Sequence, residues 1–359
     1  MNERLANTFM EMVRIDSESG QEQEFIAYLK DLLTTEFQAE CTTDDFGNLI
    51  ATIPAKNSTR TEPVFFSCHA DTVKPGKGIE PLLENEVIRS KGDTILGADD
   101  KAGIAELVEA LRTADRHPPL EIVVSREEEI GLVGAKHLDT AALKSKMGFL
   151  IDMDALDAVV IGGPSHMIID VEITGKAAHA GMEPEKGISA IRAAAAAISN
   201  LKEGWIDEET TFNVGIIEGG EIRNGVPEKA QIKAECRSLT HEKCVKQSDV
   251  IKEAFETAAK SIGARAEVKT EMAYKAVSIS EESEVVTIAK KAVESVGLKP
   301  QVRVICGGTD GSIYNEKGIQ TVIIGMGGEA EHSKDEHIAV ADMEKAVSMI
   351  HYILEAVSG

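Results

Sequence analysis

Acidic and imidazole side chains recur in this chain where short apolar runs end. His69-Ala70-Asp71 follows Val64-Phe65-Phe66-Ser67-Cys68. The period of two along an extended chain puts His69 and Asp71 on one side and Cys68 on the other. Such a pair suits an imidazole that binds a metal and an acid that fixes its tautomer and direction. Leu96-Gly97-Ala98-Asp99-Asp100 places two acids at a helix start. One can act as the N-cap; the other is then free, and a carboxylate can bridge two cations. Glu127-Glu128-Glu129 follows the run Leu120 to Val124 and precedes Gly131 and Gly134, so adjacent acids can divide labour there, one binding metal and one moving a proton. Asp152 and Asp154 come directly after Phe149-Leu150-Ile151, where a plain turn is an equal reading. His332, in Glu331-His332-Ser333-Lys334-Asp335-Glu336-His337, follows the glycine loop Gly325-Met326-Gly327-Gly328.

Taken singly, each group has an ordinary explanation: a strand-end histidine, a helix cap, a solvated acidic face, a turn. Together, Asp99, Glu128, Glu129 and Asp152 at one sheet edge would gather about four negative charges in one cleft, which is strongly disfavoured unless they are paired or coordinated. Two divalent cations remove that penalty. Ligation by His, Asp and Glu without Cys fits zinc, manganese or cobalt, and a cation pair ~3.5–4 Å apart makes a bound water nucleophilic near neutral pH. The chemistry this pattern points to is hydrolysis.

Positioning such a cluster requires a sheet. The apolar runs named above, with Thr321-Val322-Ile323-Ile324, are continuous rather than alternating, which predicts strands buried on both faces. Amphipathic helices are expected over Asn7 to Val13, Gln21 to Leu33, Gly103 to Leu111 and Glu282 to Val296, giving an α/β layered domain with helices on both sides. In open α/β sheets ligands bind at the carboxyl ends of the strands. From His166 the pattern changes: a strand from Met167 to Ile173, an alanine-rich helix from Ile188 to Leu201, strands Thr211 to Ile217 and Ala230 to Arg237, a helix from Val245 to Ile262, and a strand from Ala264 to Met272. That β-α-β-β-α-β order is the split, ferredoxin-like unit. It predicts an inserted domain over 166–276, interrupting a catalytic domain made of 1–165 and 277–359, with a strand from Gln301 to Cys306 returning to the first sheet.

Composition limits the partners. With 359 residues the chain is long enough for two domains. A formal net charge of −23 argues against nucleic acid or an anionic membrane surface, both of which need clustered Lys and Arg. No apolar stretch approaches the ~20 residues of a spanning helix, and the N-terminus shows no basic-then-apolar signal. The five cysteines are odd in number and lack a CxxC, so neither a disulfide framework nor a thiolate zinc site is indicated, and a cytoplasmic location is expected.

These residues resemble a known family. His69-Ala70-Asp71-Thr72, Leu96-Gly97-Ala98-Asp99-Asp100-Lys101-Ala102-Gly103-Ile104-Ala105-Glu106, Glu127-Glu128-Glu129-Ile130-Gly131 and Gly307-Gly308-Thr309-Asp310-Gly311 are similar, in order and over nearly the whole chain, to motifs of the M20 metallopeptidases and, within them, their peptidase T branch. The resemblance implies a zinc-peptidase-like catalytic domain with a mixed, mostly parallel sheet, and an inserted lid domain that commonly dimerises. It implies that His69, Asp99 and Asp152 hold one zinc ion and Asp99, Glu129 and His332 the other. Glu128 would be the general base and Asp71 the support of His69. In the inserted domain, His179 would reach the scissile carbonyl oxygen, and Asn224, Arg237 and Gly308 would bind substrate, with Arg237 suited to a peptide carboxylate. The expected substrate is a small peptide, tripeptides first.

Two departures bear on specificity: the Asp71–Asp99 segment is short for that branch, and His179-Ala180-Gly181-Met182-Glu183-Pro184-Glu185-Lys186-Gly187 is closer to the general family. An amidohydrolase, dipeptidase or carboxypeptidase acting on N-acyl amino acids or dipeptides is the alternative. A protein that kept the fold and lost catalysis is disfavoured, because every expected ligand and Glu128 are present.

Overall fold

A computed structural model describes residues 2–359. Its central strands run in the order Glu40–Thr43, Leu49–Ile53, Leu120–Ser125, Val64–His69, Met147–Met153, Gln320–Gly325 and Ala158–Gly163. Pairing is parallel from Leu120–Ser125 across to Gln320–Gly325 and antiparallel toward both margins. The mixed, largely parallel sheet flanked by helices is the architecture expected from the sequence.

The reason the central strands read as unbroken apolar runs lies in their two coverings. Val64, Phe66 and Cys68 face one large core shared with the helices Glu3–Val13, Gln23–Phe37, Ala98–Thr113, Glu284–Ser295 and Val340–Ala356. Phe65 and Ser67 face the other way, where Tyr314 stands edge-on to Phe65 at 4.9 Å between ring centres and its hydroxyl lies 3.0 Å from Ser67 Oγ. A strand covered on both faces has no solvent side to mark with polar residues. Glu121, buried inside such a strand, is tolerated because its carboxylate accepts the Lys144 and Ser145 backbone N–H groups and the Ser145 hydroxyl.

The chain divides into two compact units. One takes the chain up to Gly162 with Ser278–Val304 and Thr309–Gly359; the other is Gly163–Val277 with Ile305–Gly308. The strand expected to run to Cys306 stops at Val304, and the next four residues, Gly308 among them, leave the first unit instead of continuing in it.

In the second unit, strands Thr210–Gly219, Lys229–Ser238, Ser165–Thr174 and Arg265–Tyr274 form an antiparallel sheet in that order. Helices Ala190–Ser199 and His241–Ser261 join its core. Burial along Ser165–Thr174 alternates residue by residue, as it must when helices cover only one face. The alanine-rich helix starts two residues later than its periodicity suggested, because Ser189 serves as the N-cap and its side chain accepts the Arg192 N–H. The other helix starts earlier than expected, at His241, since the polar run His241-Glu242-Lys243 adds helical turns without adding apolar periodicity. Among the described residues, no helix is long and apolar enough to cross a membrane.

Candidate active site

Neighbouring strands deliver the acids and imidazoles at their carboxyl ends. Val64–His69 ends on His69, Glu128 and Glu129 follow Leu120–Ser125, Asp152 lies in Met147–Met153, and the loop after Gln320–Gly325 leads to His332. His69 is buried, with Nδ1 2.8 Å from the Asp71 backbone carbonyl. A carbonyl can only accept, so Nδ1 carries a proton and Nε2 points into the site. Nε2 lies 2.9 Å from Asp99 Oδ1 and 3.5 Å from Asp152 Oδ1. From the open side, His332 Nε2 lies 3.0 Å from Asp99 Oδ2 and 3.0 Å from Glu129 Oε1. Asp99 therefore has an imidazole on each carboxylate oxygen.

The first turn of the helix is arranged differently from the sequence expectation. Neither aspartate caps the helix: Asp99 (φ −78°, ψ 104°) and Asp100 (φ −118°, ψ 26°) leave the helical path, and the peptide between them is cis. Asp99 turns to the two imidazoles, while Asp100 Oδ2 accepts the His69 backbone N–H at 3.1 Å. Asp100 Oδ1 has no hydrogen-bond partner among the described residues, and Asp100, His69 and Asp152 each place a ligand-type atom within 4.8 Å of the others. Gly103 permits this approach, since a Cβ there would overlap Asp100 Oδ1 and come within 2.6 Å of the Ile151 carbonyl. Asp154 is an ordinary turn residue whose carboxylate accepts the Ala155 N–H.

Asp71 reaches further than the spacing implied. Its carboxylate lies 3.5 Å from His69 Nδ1, longer than the contact through its own backbone carbonyl. The stronger bonds run to the opposite loop, where Oδ1 accepts the Glu128 N–H at 2.9 Å and Oδ2 accepts the Glu129 N–H at 3.2 Å and the Ser19 hydroxyl at 2.7 Å. Asp71 thus fixes the backbone of the acidic pair as well as the histidine. Sequence reading missed Ser19 and Asp100: Ser19 sits in a polar turn remote in sequence, and Asp100 had been set against a helix cap that does not form.

Buried carboxylates dominate the electrostatics of the site. Burial alone would lower the His69 pKa, but Asp99, Asp152 and Asp71 outweigh it and raise it well above the usual imidazole range. Hydrogen bonds that its ring N–H donates to the Asp99 and Glu129 carboxylates raise the His332 pKa to about 10. Asp99 is held low against its burial by the two imidazoles. Burial, with Asp99 and Asp310 nearby, pushes Asp152 up to about 7. Burial and then Asp152, Asp310 and Glu129 push Glu128 well above the carboxylate range. Two imidazoles with several carboxylates and no thiolate form a donor set that fits divalent cations.

Four positions expected to bind substrate lie in the second unit. His179 is in the short strand Ala178–His179, paired with Gly225–Val226. With Asn224 and Ile222 it lines a cavity of about 430 Å³. Arg237 is half-buried; its Nη2 lies 3.0 Å from Glu235 Oε2, which also meets His166 Nε2 at 2.8 Å, and its Nε has no hydrogen-bond partner among the described residues. Gly308 packs against the Tyr274 hydroxyl, which a side chain there would overlap.

A parallel-sheet α/β unit with carboxylates and imidazoles converging at strand ends defines a metal-dependent hydrolase. The chain belongs to peptidase family M20/M25/M40, whose family model matches residues 65–356. It is similar to the aminopeptidase PepT of Bacillus cereus, with 40% identity, TM-score 0.90 and 99% of each chain covered. It is also similar to a tripeptidase of Staphylococcus aureus, with 36% identity, TM-score 0.94 and coverage of 99% of this chain and 98% of that one. Peptidase T of Listeria welshimeri is 28% identical over 405 aligned residues, covering 98% of this chain and 97% of the relative.

Two outcomes follow from this geometry. Coordination needs neutral imidazole nitrogens, whereas His332 in the metal-free protein holds its proton up to about pH 10. Cation binding must displace that proton, so zinc affinity falls as pH falls; calorimetry of zinc titrated into metal-free protein, in buffers of different ionisation enthalpy, should register net proton release. Asp71→Asn puts an amide NH₂ against backbone N–H donors and should lower kcat by about 10–100-fold with metal content retained, as read by steady-state kinetics beside metal analysis.

Proposed function

We propose that this chain is a dinuclear metal-dependent exopeptidase of small peptides, with tripeptides the first candidates and zinc the first metal, ahead of manganese or cobalt. The observation that carries this reading is the single carboxylate of Asp99 with an imidazole on each oxygen. His69, Asp99 and Asp152 would hold one cation; Asp99, Glu129 and His332 would hold the other. Bound there, divalent cations polarise a carbonyl and make a water nucleophilic near neutral pH.

The chain's own residues would do the rest. Glu128, its backbone tied to Asp71, takes the proton from the attacking water and hands it to the leaving amine. Burial and the neighbouring carboxylates raise its pKa above the usual carboxylate range, which makes it a stronger proton acceptor than a free glutamate. Asp71 keeps the His69 ring oriented and the Glu128–Glu129 backbone in place. His179 is suited to donate to the carbonyl oxygen as charge develops on it. Arg237, held on one side by Glu235 and with Nε unsatisfied, is suited to a peptide's terminal carboxylate. Asn224 and Gly308 complete the substrate set.

The names of the Bacillus cereus and Staphylococcus aureus relatives support peptides as substrates. One observation favours the alternative, an amidohydrolase, dipeptidase or carboxypeptidase for N-acyl amino acids or dipeptides: the Listeria alignment spans 405 residues against the 359 here, so that peptidase T carries extra sequence. The Staphylococcus aureus tripeptidase is matched over 98% of its length, which keeps tripeptides ahead. Five free cysteines suit a reducing cytoplasm.

A second copy of the chain is the proposed protein partner. Among the described residues, strand Thr210–Gly219 is covered on its outer side only by Gly204–Trp205, at Thr211 and Phe212, and Ile216 and Ile217 beyond that cover are 49% and 51% exposed. An open edge with apolar side chains invites strand pairing.

Assayed with zinc, manganese or cobalt against tripeptides, dipeptides and N-acyl amino acids, the protein should prefer peptides with a free amino end; activity confined to blocked amines would sink the tripeptidase reading. Glu128→Gln should retain its metals and lose about 10²–10⁴-fold in kcat, and equal turnover would exclude Glu128 as the base. In sedimentation velocity the chain should run as a dimer and Ile217→Lys as a monomer.

A further inference from the structure

Glu336 is a buried carboxylate outside the metal-binding set, only 2% exposed. It receives four consecutive backbone N–H groups: Leu96 at 2.7 Å and Gly97 at 2.8 Å on Oε2, Ala98 at 2.7 Å and Asp99 at 3.2 Å on Oε1. No salt bridge to Glu336 is found among the described residues; beyond a through-space attraction with Lys101, these amides carry the stabilisation that a buried charge requires. Gly97 makes the wrap feasible, since its φ of +74° turns successive N–H groups toward one point.

A bland account is available. The span Ala98–Thr113 has unpaired N–H groups at its start, and any acid placed there would satisfy them. Two features go beyond a cap. Asp99 departs from helical φ and ψ, so regular helix geometry does not place it, whereas the Glu336 bond to its N–H does. Glu336 also lies four residues after His332 in the same loop, and its own N–H returns to the Ser333 carbonyl within that loop. One carboxylate thereby ties the segment bearing Asp99 to the segment bearing His332, the two groups that meet at 3.0 Å.

We propose that Glu336 is a positioning residue for the metal pair: by gathering the N–H groups of Leu96 to Asp99, it sets Asp99 and His332 at the separation at which they share one cation. This rests on the two-cation reading above. The side chain touches neither substrate nor the reacting atoms; it acts through Asp99 and His332. The neighbouring His337–Ala339 strand, paired with Val87–Ser90, also anchors the loop, and Lys334 Nζ lies 3.3 Å from Asp93 Oδ1 at the surface; Glu336 supplies the buried link.

Replacing the acid by Glu336→Gln keeps size and one acceptor oxygen but turns an NH₂ toward two of the four donors. Metal-free parent and variant are titrated with zinc against a chromophoric chelator, and with cobalt while the visible bands are recorded, well below either melting temperature. The parent should bind two cations per chain; in Glu336→Gln one of the two should bind about 10–100-fold more weakly, with a changed cobalt spectrum. A purely structural cap would lower the melting temperature of the metal-free protein and leave affinity and spectrum as in the parent, and that result overturns the proposal. Should Glu336→Gln fail to fold, Glu336→Asp, which keeps both oxygens but withdraws them by one methylene, is read by the same titrations against the same two outcomes. A parent that binds fewer than two cations overturns the two-cation reading and this inference together. A parent that binds two while the folded variant binds them equally tightly overturns the inference alone.

Discussion

The constraint on which the rest depends is the concentration of negative charge around Asp99. Asp99, Asp100, Glu129 and Asp152 converge near His69 and His332, and Asp99 and Asp100 are buried. Carboxylates this close, and this far from water, raise one another's pKa values, and the directions seen at Asp152, Asp100 and Glu128 follow from that. The same carboxylates raise the pKa values of His69 and His332. A cluster of this kind is costly for a folded chain unless cations fill it, so it makes sense only as a place where charge is brought in and used.

The fold treats its buried acids in two ways. Asp71 and Glu121 are satisfied mainly by backbone N–H groups and hydroxyls, and the half-buried Asp44 likewise gathers the N–H groups of Phe46, Gly47 and Asn48. These acids organise loops and are saturated. The acids at the strand ends keep oxygens free or shared with imidazoles. At the site, hydrogen-bond saturation rather than burial separates Asp71 from the expected ligands, since Asp71 and Asp99 are both buried.

The two sheets divide along similar physical lines. The first is covered on both faces, which gives rigid strand ends on which side chains can be held at fixed separations. The second is antiparallel with helices in one core, leaving its other face and an outer edge to solvent. Its polar residues, including Arg237 with Glu235 and His166, lie on that open side.

The sequence alone determined the layered α/β class, the inserted β-α-β-β-α-β unit and the identity of the converging acids and imidazoles, because those depend on periodicity, run length and residue type, which are local. His69, Asp99, Glu129, Asp152 and His332 stand among the acids and histidines at the ends of apolar runs, but the choice of Asp99 over Asp100 and of Glu129 over Glu128 rests on the resemblance to the M20 metallopeptidases. Which partner each side chain takes was not legible. Whether Asp99 would cap a helix or leave it, whether the Asp71 carboxylate would serve the adjacent histidine or the loop of Glu128, and that Ser19 would join them depended on segments about 50 residues apart being brought together. The short return of Ile305–Gly308 to the second unit was hidden for the same reason. Hydrogen bonds between distant segments leave no periodic trace in a sequence, and only the tertiary structure decides them.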